Sequence, residues 1–171
     1  MSIIDGNTTF KGTVAIQGQF YPPALSINGS HISQDANNRI PAETVEHQFS
    51  IPKVCFGPAT NIAALTDFVW AANADGEIVG VDVFIEGAAT GDRTATIDIK
   101  KSNGGGAYAT VLSSPVTVNS STAIRTAVPA TIASAAYVAG NSFEVVVTVG
   151  GSTGTQPTGL LVMVYIREMP A

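Results

Sequence analysis

Glu77-Ile78-Val79-Gly80-Val81-Asp82-Val83-Phe84-Ile85-Glu86 leads through Gly87-Ala88-Ala89-Thr90-Gly91-Asp92-Arg93 into Thr94-Ala95-Thr96-Ile97-Asp98-Ile99-Lys100-Lys101. Val79, Val81, Val83 and Ile85 alternate with Gly80, Asp82, Phe84 and Glu86, the period-2 pattern of a strand with one covered face. Ala95, Ile97 and Ile99 repeat the rule against Thr96, Asp98 and Lys100. Joined by a Gly- and Asp-containing loop, the two runs predict the opening hairpin of an antiparallel sheet. Its apolar face needs a second sheet to cover it.

Downstream of Lys101 the chain supplies that cover. Ser102-Asn103-Gly104-Gly105-Gly106 predicts a reversal, because glycine readily takes the positive φ that tight turns demand. Strands are expected over Tyr108–Leu112, Pro115–Val118 and Thr122–Val128, with a small apolar edge segment over Pro129–Ala136. Val138-Ala139-Gly140-Asn141 turns the chain into Phe143–Val149, its most β-prone run. A polar loop over Gly150–Gly159 precedes Leu160–Glu168. There Leu160, Val162, Val164 and Ile166 lie on one side and Leu161, Met163 and Tyr165 on the other. Apolar groups on both sides mean a central strand or one covered by a partner.

Upstream, Gln48–Phe56 is a strand interrupted by Pro52, which places it at a sheet edge or bulge. Residues 66–71 have both strand-like and helix-like spacing, and the run Phe68-Val69-Trp70 favours a strand. The sum is about eight short strands with turn signals every 8–12 residues. The fold class is therefore all-β: an antiparallel β-sandwich over 47–171, jelly-roll or immunoglobulin-like, two topologies that periodicity does not separate.

Before His47 the character changes. Residues 1–46 form an extended amino-terminal arm with short β segments, in which Phe10, Val14, Ile16, Phe20 and Tyr21 supply the sizeable apolar groups. Such strands bury too little surface alone to offset the entropy of ordering them, so they need neighbours from another chain or a scaffold. Pro22-Pro23 fixes an extended path, and Pro41–His47 has the composition of a single helical turn.

Composition narrows the function. The chain is 45% hydrophobic but only 12% charged, about half the usual charged share, which suits a protein with much of its surface against other protein. A net charge of −5 argues against nucleic acid as a partner, since binding phosphates needs clustered Lys and Arg. Neither a basic-then-apolar leader nor a span of roughly 18 apolar residues is present, so no membrane partner is expected. Cys55, the sole cysteine, sits between Val54 and Phe56 and reads as a buried small hydrophobe rather than a reactive thiol.

The ingredients of catalysis are thin. His31 and His47 lie in or beside the arm, and Glu43-Thr44-Val45-Glu46-His47 lacks the first histidine of an inverted zinc-protease helix. Asp82, Glu86 and Asp98 are placed to share one face of the predicted hairpin. Lys100 and Lys101 nearby make cross-strand charge pairs the stronger expectation than a glycosidase pair. Phe84, Tyr108, Tyr137 and Tyr165 are candidate exposed aromatics for stacking on a sugar. No catalytic residue, metal ligand or cofactor is expected.

Ile97-Asp98-Ile99-Lys100-Lys101-Ser102-Asn103-Gly104, Val111-Leu112-Ser113-Ser114-Pro115 and Val138-Ala139-Gly140-Asn141-Ser142-Phe143-Glu144-Val145-Val146-Val147 resemble a β-sandwich module of tailed-bacteriophage structural proteins. Here Lys-Ser-Asn-Gly replaces that family's Lys-Asn-Gly, and Asn141 stands where Asp is usual. Upstream, Gly6-Asn7-Thr8-Thr9-Phe10 and Gly12-Thr13-Val14 are similar to repeats of phage fibre and collar segments, and Val45-Glu46-His47-Gln48 to the junction after them. The resemblance implies a virion protein, assembled in the host cytoplasm. Its expected role is capsid decoration or cement, as a homotrimer whose partners are the major capsid protein and copies of itself. Phe10, Val14, Ile16, Phe20 and Tyr21 would then be the anchoring groups. A tail, collar or fibre component that binds a host glycan is the alternative.

Overall fold

The computed structural model describes residues 47–102 and 105–168. The arm over 1–46, with its anchoring residues Phe10, Val14, Ile16, Phe20 and Tyr21, lies outside the described residues, as does the predicted turn before His47.

Ten strands and no helix make up the described chain: β1 His47–Asn61, β2 Leu65–Ala71, β3 Gly76–Gly87, β4 Thr94–Ser102, β5 Tyr108–Thr110, β6 Val116–Val118, β7 Val128–Ala130, β8 Ala136–Tyr137, β9 Ser142–Gly150 and β10 Thr158–Glu168. They form two antiparallel sheets. Sheet A runs β1-β10-β3-β7, with β8 also on β3; sheet B runs β2-β9-β4-β5, with β6 also on β4. Both β5 and β6 flank β4, and both β7 and β8 flank β3, so each short pair acts as one interrupted strand. The pairings then nest. First meets last, β2 meets β9, β3 meets β7 and β8, and β4 meets β5 and β6. A single long hairpin rolled so that its strands alternate between two sheets gives this order, and that is a jelly roll. It settles the topology that periodicity leaves open.

The same order corrects the opening hairpin. β3 lies in sheet A and β4 in sheet B, so residues 88–93 are an arch between sheets. Alternation specifies which side chains are covered but not which strand lies alongside, and an arch and a hairpin read alike. Asp82 and Glu86 therefore lie on the outer face of sheet A while Asp98 belongs to sheet B, and the expected pairs with Lys100 and Lys101 do not form. Lys101 Nζ instead donates to the Ala136 carbonyl at 2.6 Å, and Asp98 accepts from the Thr110 hydroxyl at 2.6 Å.

A bulge corrects one further detail. Tyr165 opposes Gly80 while Ile166 opposes Ile78, which leaves Val79 as the extra residue of β3. The bulge reverses the facing of the strand's first residues. Ile78 enters the core and Val79 is 48% exposed.

Between the sheets, Ile78, Val81, Val83 and Ile85 of β3 and Leu160, Val162, Val164 and Ile166 of β10 meet Ile97 and Ile99 of β4 and Phe143, Val145 and Val147 of β9. At one end of the sandwich Trp70 of β2 stacks on Phe143 with centroids 5.1 Å apart. Tyr137 of β8 sets its edge against both rings, at 5.2 and 5.6 Å. Tyr137 was a candidate exposed aromatic. It is 3% exposed, and burial, with the Glu168 charge adding to it, pushes its hydroxyl up to about 12. β8 pairs with the first residues of β3 and so turns this ring inward.

At the opposite end the arch is clasped to the β9–β10 loop. Asp92 accepts the backbone N–H groups of Thr153 and Ser152 at 2.6 and 2.9 Å, and Arg93 donates to the Gly151 carbonyl at 2.9 Å. Gly151 and Gly154, with φ of 80° and 93°, let this loop approach the arch backbone.

The strand expected over Thr122–Val128 is absent apart from Val128. Asn119 explains the loss. Its side-chain oxygen takes the Ser121 N–H at 2.9 Å, and its own N–H donates to the Thr122 hydroxyl at 2.9 Å. Local side-chain bonds of this kind offer the backbone an alternative to the sheet ladder. The remaining expectations for Gln48–Phe56, 66–71, Phe143–Val149 and Leu160–Glu168 correspond to β1, β2, β9 and β10. Pro52 lies on the edge strand of sheet A and β10 is central.

Candidate functional site: the outer face of sheet A

The two outward faces of the sandwich differ in chemistry. On sheet B, Thr96 lies opposite both Thr117 and Thr148. The next rows place Asp98 beside Val146 and Thr66, and Lys100 beside Glu144 and Phe68. Val146 and Phe68, the latter 52% exposed, are the large apolar residues in these rows. Such a surface is well solvated.

Sheet A is different. Leu161, Met163 and Tyr165 alternate with buried Leu160, Val162, Val164 and Ile166, so the central strand carries large side chains on both sides. Strand register continues them sideways. Val54, Leu161 and Phe84 form one row across β1, β10 and β3, and Pro52, Met163, Asp82 and Pro129 form the next. A third places Ser50, Tyr165 and Gly80 side by side. Glycine matters in that row, because a Cβ there would stand 3.2 Å from the Tyr165 ring. The bare backbone lets the ring lie over β3.

Two ion pairs and one hydrogen bond engage the charged groups of this face. Arg125 Nε donates to Glu86 at 2.7 Å, a bond that raises the guanidinium pKa further. Arg167 pairs with Glu77. The Tyr165 hydroxyl donates to Asp82 at 3.1 Å, and that bond raises its pKa.

Among the described residues, two hollows interrupt the face. The first, about 480 Å³, is floored by Val54, Phe84, Pro58 and Leu161 and rimmed by Glu86 and Arg125. Val54 is 66% exposed there. Arg125 has φ 55°, sparsely populated for a residue with a Cβ, and its N–H donates to the Ile85 carbonyl at 2.8 Å. Its backbone bond and the Glu86 pair hold the guanidinium at the rim. The second hollow, about 430 Å³, lies by Phe49, Val79, Gly80 and Tyr165.

Of the candidate aromatics, the structure brings Phe84 and Tyr165 to this face. Tyr108 lies at the edge of sheet B with its hydroxyl 2.8 Å from that of Ser142. Cys55 is half-buried in β1 and packs on the core. Burial, the larger effect, drives its thiol up to about 11, which fits an unreactive role. Beside it Lys53 of β1 and Asp67 of β2 pair at 2.6 Å between the sheets, and the lysine holds the Asp67 pKa down. His47 opens β1 opposite Glu168.

Sequence reasoning did not single out Val54, Pro58 or Arg125. The one available signal was the two-sided apolar run of Leu160–Glu168, which marks the strand but not its neighbours.

No known family profile matches the chain, and no curated protein matches it. Among solved structures, a chain described as Desmodium yellow mottle tymovirus aligns over 98% of this chain and 96% of that one, at 9% identity and a TM-score of 0.33. A likeness at that level transfers neither fold nor function.

Proposed function

We propose that the chain is a structural virion protein, a capsid decoration or cement protein of a bacteriophage head. It would act as a homotrimer, with the major capsid protein and further copies of itself as partners, and without catalysis. The observation that carries this is the largely apolar outer face of sheet A, where Glu86 and Glu77 are paired with arginines and whose edge strand is continuous in sequence with residues 1–46. A largely apolar surface across three strands, on a chain with few charges, suits a contact with other protein. Jelly rolls recur in viral capsids, and also in lectins and cupins, so the fold is compatible with the role without requiring it. Sheet A would face the shell and the threonine-rich sheet B would face solvent. Several arms per oligomer would multiply weak contacts into firm attachment.

Shell coating by full-length and arm-truncated protein tests the proposal. A chain of residues 47–171 retains every core residue found among the described residues. It should fold and should fail to coat expanded heads. Unimpaired coating by the truncated chain would overturn the attachment role of the arm.

Tyr165 and Asp82, joined beside the Gly80 hollow, favour a second reading. An aromatic ring with an adjacent carboxylate can receive a sugar, as a glycan-binding tail or fibre component requires. Specific signals on a glycan array, lost in Tyr165→Ala, would favour it over decoration.

A further inference from the structure

We infer that the groove floored by Val54, Phe84, Pro58 and Leu161 is the receptor for residues 10–20 of a second copy of this chain. The inference rests on the structural role proposed above and names the partner of the same face. Three observations carry it.

Pattern is the first. In Phe10-Lys11-Gly12-Thr13-Val14-Ala15-Ile16-Gln17-Gly18-Gln19-Phe20, Phe10, Val14, Ile16 and Phe20 all fall on even positions. Laid out as a strand, they share one side, with Lys11, Thr13, Gln17 and Gln19 on the other. A strand of this kind needs an apolar surface below it and tolerates solvent above it. The outer face of sheet A is such a surface, whereas sheet B presents threonines and charges.

Length is the second. The segment has 11 residues, as does the central strand β10 from Thr158 to Glu168, so the two match in span. The third is reach. The groove lies at Val54, and the arm joins β1 at His47, so return to the groove of its own domain covers roughly 23 Å at strand spacing. Residues 21–46 supply 26 linking residues, which extend to roughly 85 Å. That is several times the distance a return needs and more than twice the roughly 35 Å width of a domain this size. A linker of that length reaches the groove of a neighbouring copy.

Charge agrees with the geometry. Lys11 is the one ionised residue of the segment, and Glu86 stands at the groove rim, already bonded to Arg125. On the solvent side of the strand Lys11 keeps its ammonium in water, so the segment would bury no unpaired charge.

Hydrogen exchange on the full-length chain tests the inference, with light-scattering mass measured on the same samples. In the wild-type oligomer, amides of residues 10–20 should exchange at least about tenfold more slowly than an unstructured peptide. Leu161→Glu should abolish that protection and lower the oligomer mass, with Trp70 emission unchanged as the sign that the sandwich is intact. Should Leu161→Glu fail to fold, Val54→Glu on the exposed edge strand serves the same purpose. Unprotected exchange in the wild-type oligomer would overturn the inference. So would protection that survives both substitutions, or protection in a sample whose mass is that of one chain. If the arm proves unprotected while its truncation still abolishes shell coating, the decoration role stands and this occupant alone is wrong.

Discussion

Replacing Phe143 should loosen the sandwich at the end where the arm joins it. The ring is buried, stacked on Trp70 at an interplanar angle of 18° and set edge-on to Tyr137. Trp70 belongs to β2 and Phe143 to β9 in sheet B, while Tyr137 belongs to β8 in sheet A, so the trio spans the two layers. Phe143→Ala should cost about 3–5 kcal/mol, the transfer of the ring plus the cavity it leaves. Phe143→Leu keeps most of the volume and loses both ring pairs, each worth about 0.5–1.5 kcal/mol beyond its area, so its cost should be about 1–3 kcal/mol. Against a total stability of about 5–15 kcal/mol, the alanine variant is seriously weakened but not necessarily unfolded.

The assay is built into the chain, because Trp70 is its sole tryptophan and touches the substituted ring. Urea unfolding followed by its emission should show the midpoint of Phe143→Ala falling by about 2 M, taking 4 kcal/mol and a slope near 2 kcal/mol/M. Phe143→Leu should fall by about half as much, and native emission should shift to the red in both. A midpoint change under about 0.3 M for Phe143→Ala would refute the assignment of this ring to the core. Equal costs for the two variants would refute the contribution of the ring pairs.

Acid should act through the arch clasp. Asp92 is held near a pKa of about 2, below its ordinary 3.8, chiefly by the Thr153 N–H and hydroxyl and then by Ser152. A depressed carboxylate contributes stability above its unfolded pKa and loses it as pH falls through the folded one. Melting of the wild type should therefore drop between about pH 4 and 2, and Asp92→Asn should lower the melting temperature at pH 7 and flatten that drop. An unchanged acid limb in Asp92→Asn would sink the assignment. Cys55 should resist alkylation. With its thiol near 11 instead of 9.0, the folded chain holds about 100-fold less thiolate at pH 8, and iodoacetamide should react correspondingly slowly until urea unfolds it.

How much of this was legible in the sequence follows from what periodicity encodes. Ala95, Ile97 and Ile99, or Leu160, Val162, Val164 and Ile166, declare their burial because each second residue of a flat strand faces the same way. Partners are not declared, so the arch at 88–93 passes for a hairpin and the Asp82, Glu86 and Asp98 grouping dissolves. Nor does alternation survive an inserted residue, which is how Val79 and Ile78 exchange roles. The jelly-roll order depends on which distant strands meet, and β1 with β10 are about a hundred residues apart. The face of sheet A was half visible. Leu161, Met163 and Tyr165 betray a doubly covered strand, but Val54 enters their row only through the register of a strand far away in sequence.

That partial visibility has a physical root that bears on function. A strand central to a sandwich needs one apolar side for the core, and β10 has a second set of large side chains that the core does not use. Leaving Leu161, Met163 and Phe84 against water yields no stability to the isolated domain, whereas polar residues at those positions would be tolerated as they are on sheet B. The fold does not require the asymmetry between the two outer faces, and under the role proposed above it would serve association. Under the same proposal the arm would complement the face: its sequence has Phe10, Val14, Ile16 and Phe20 at even positions, and the face has apolar residues that the core does not use.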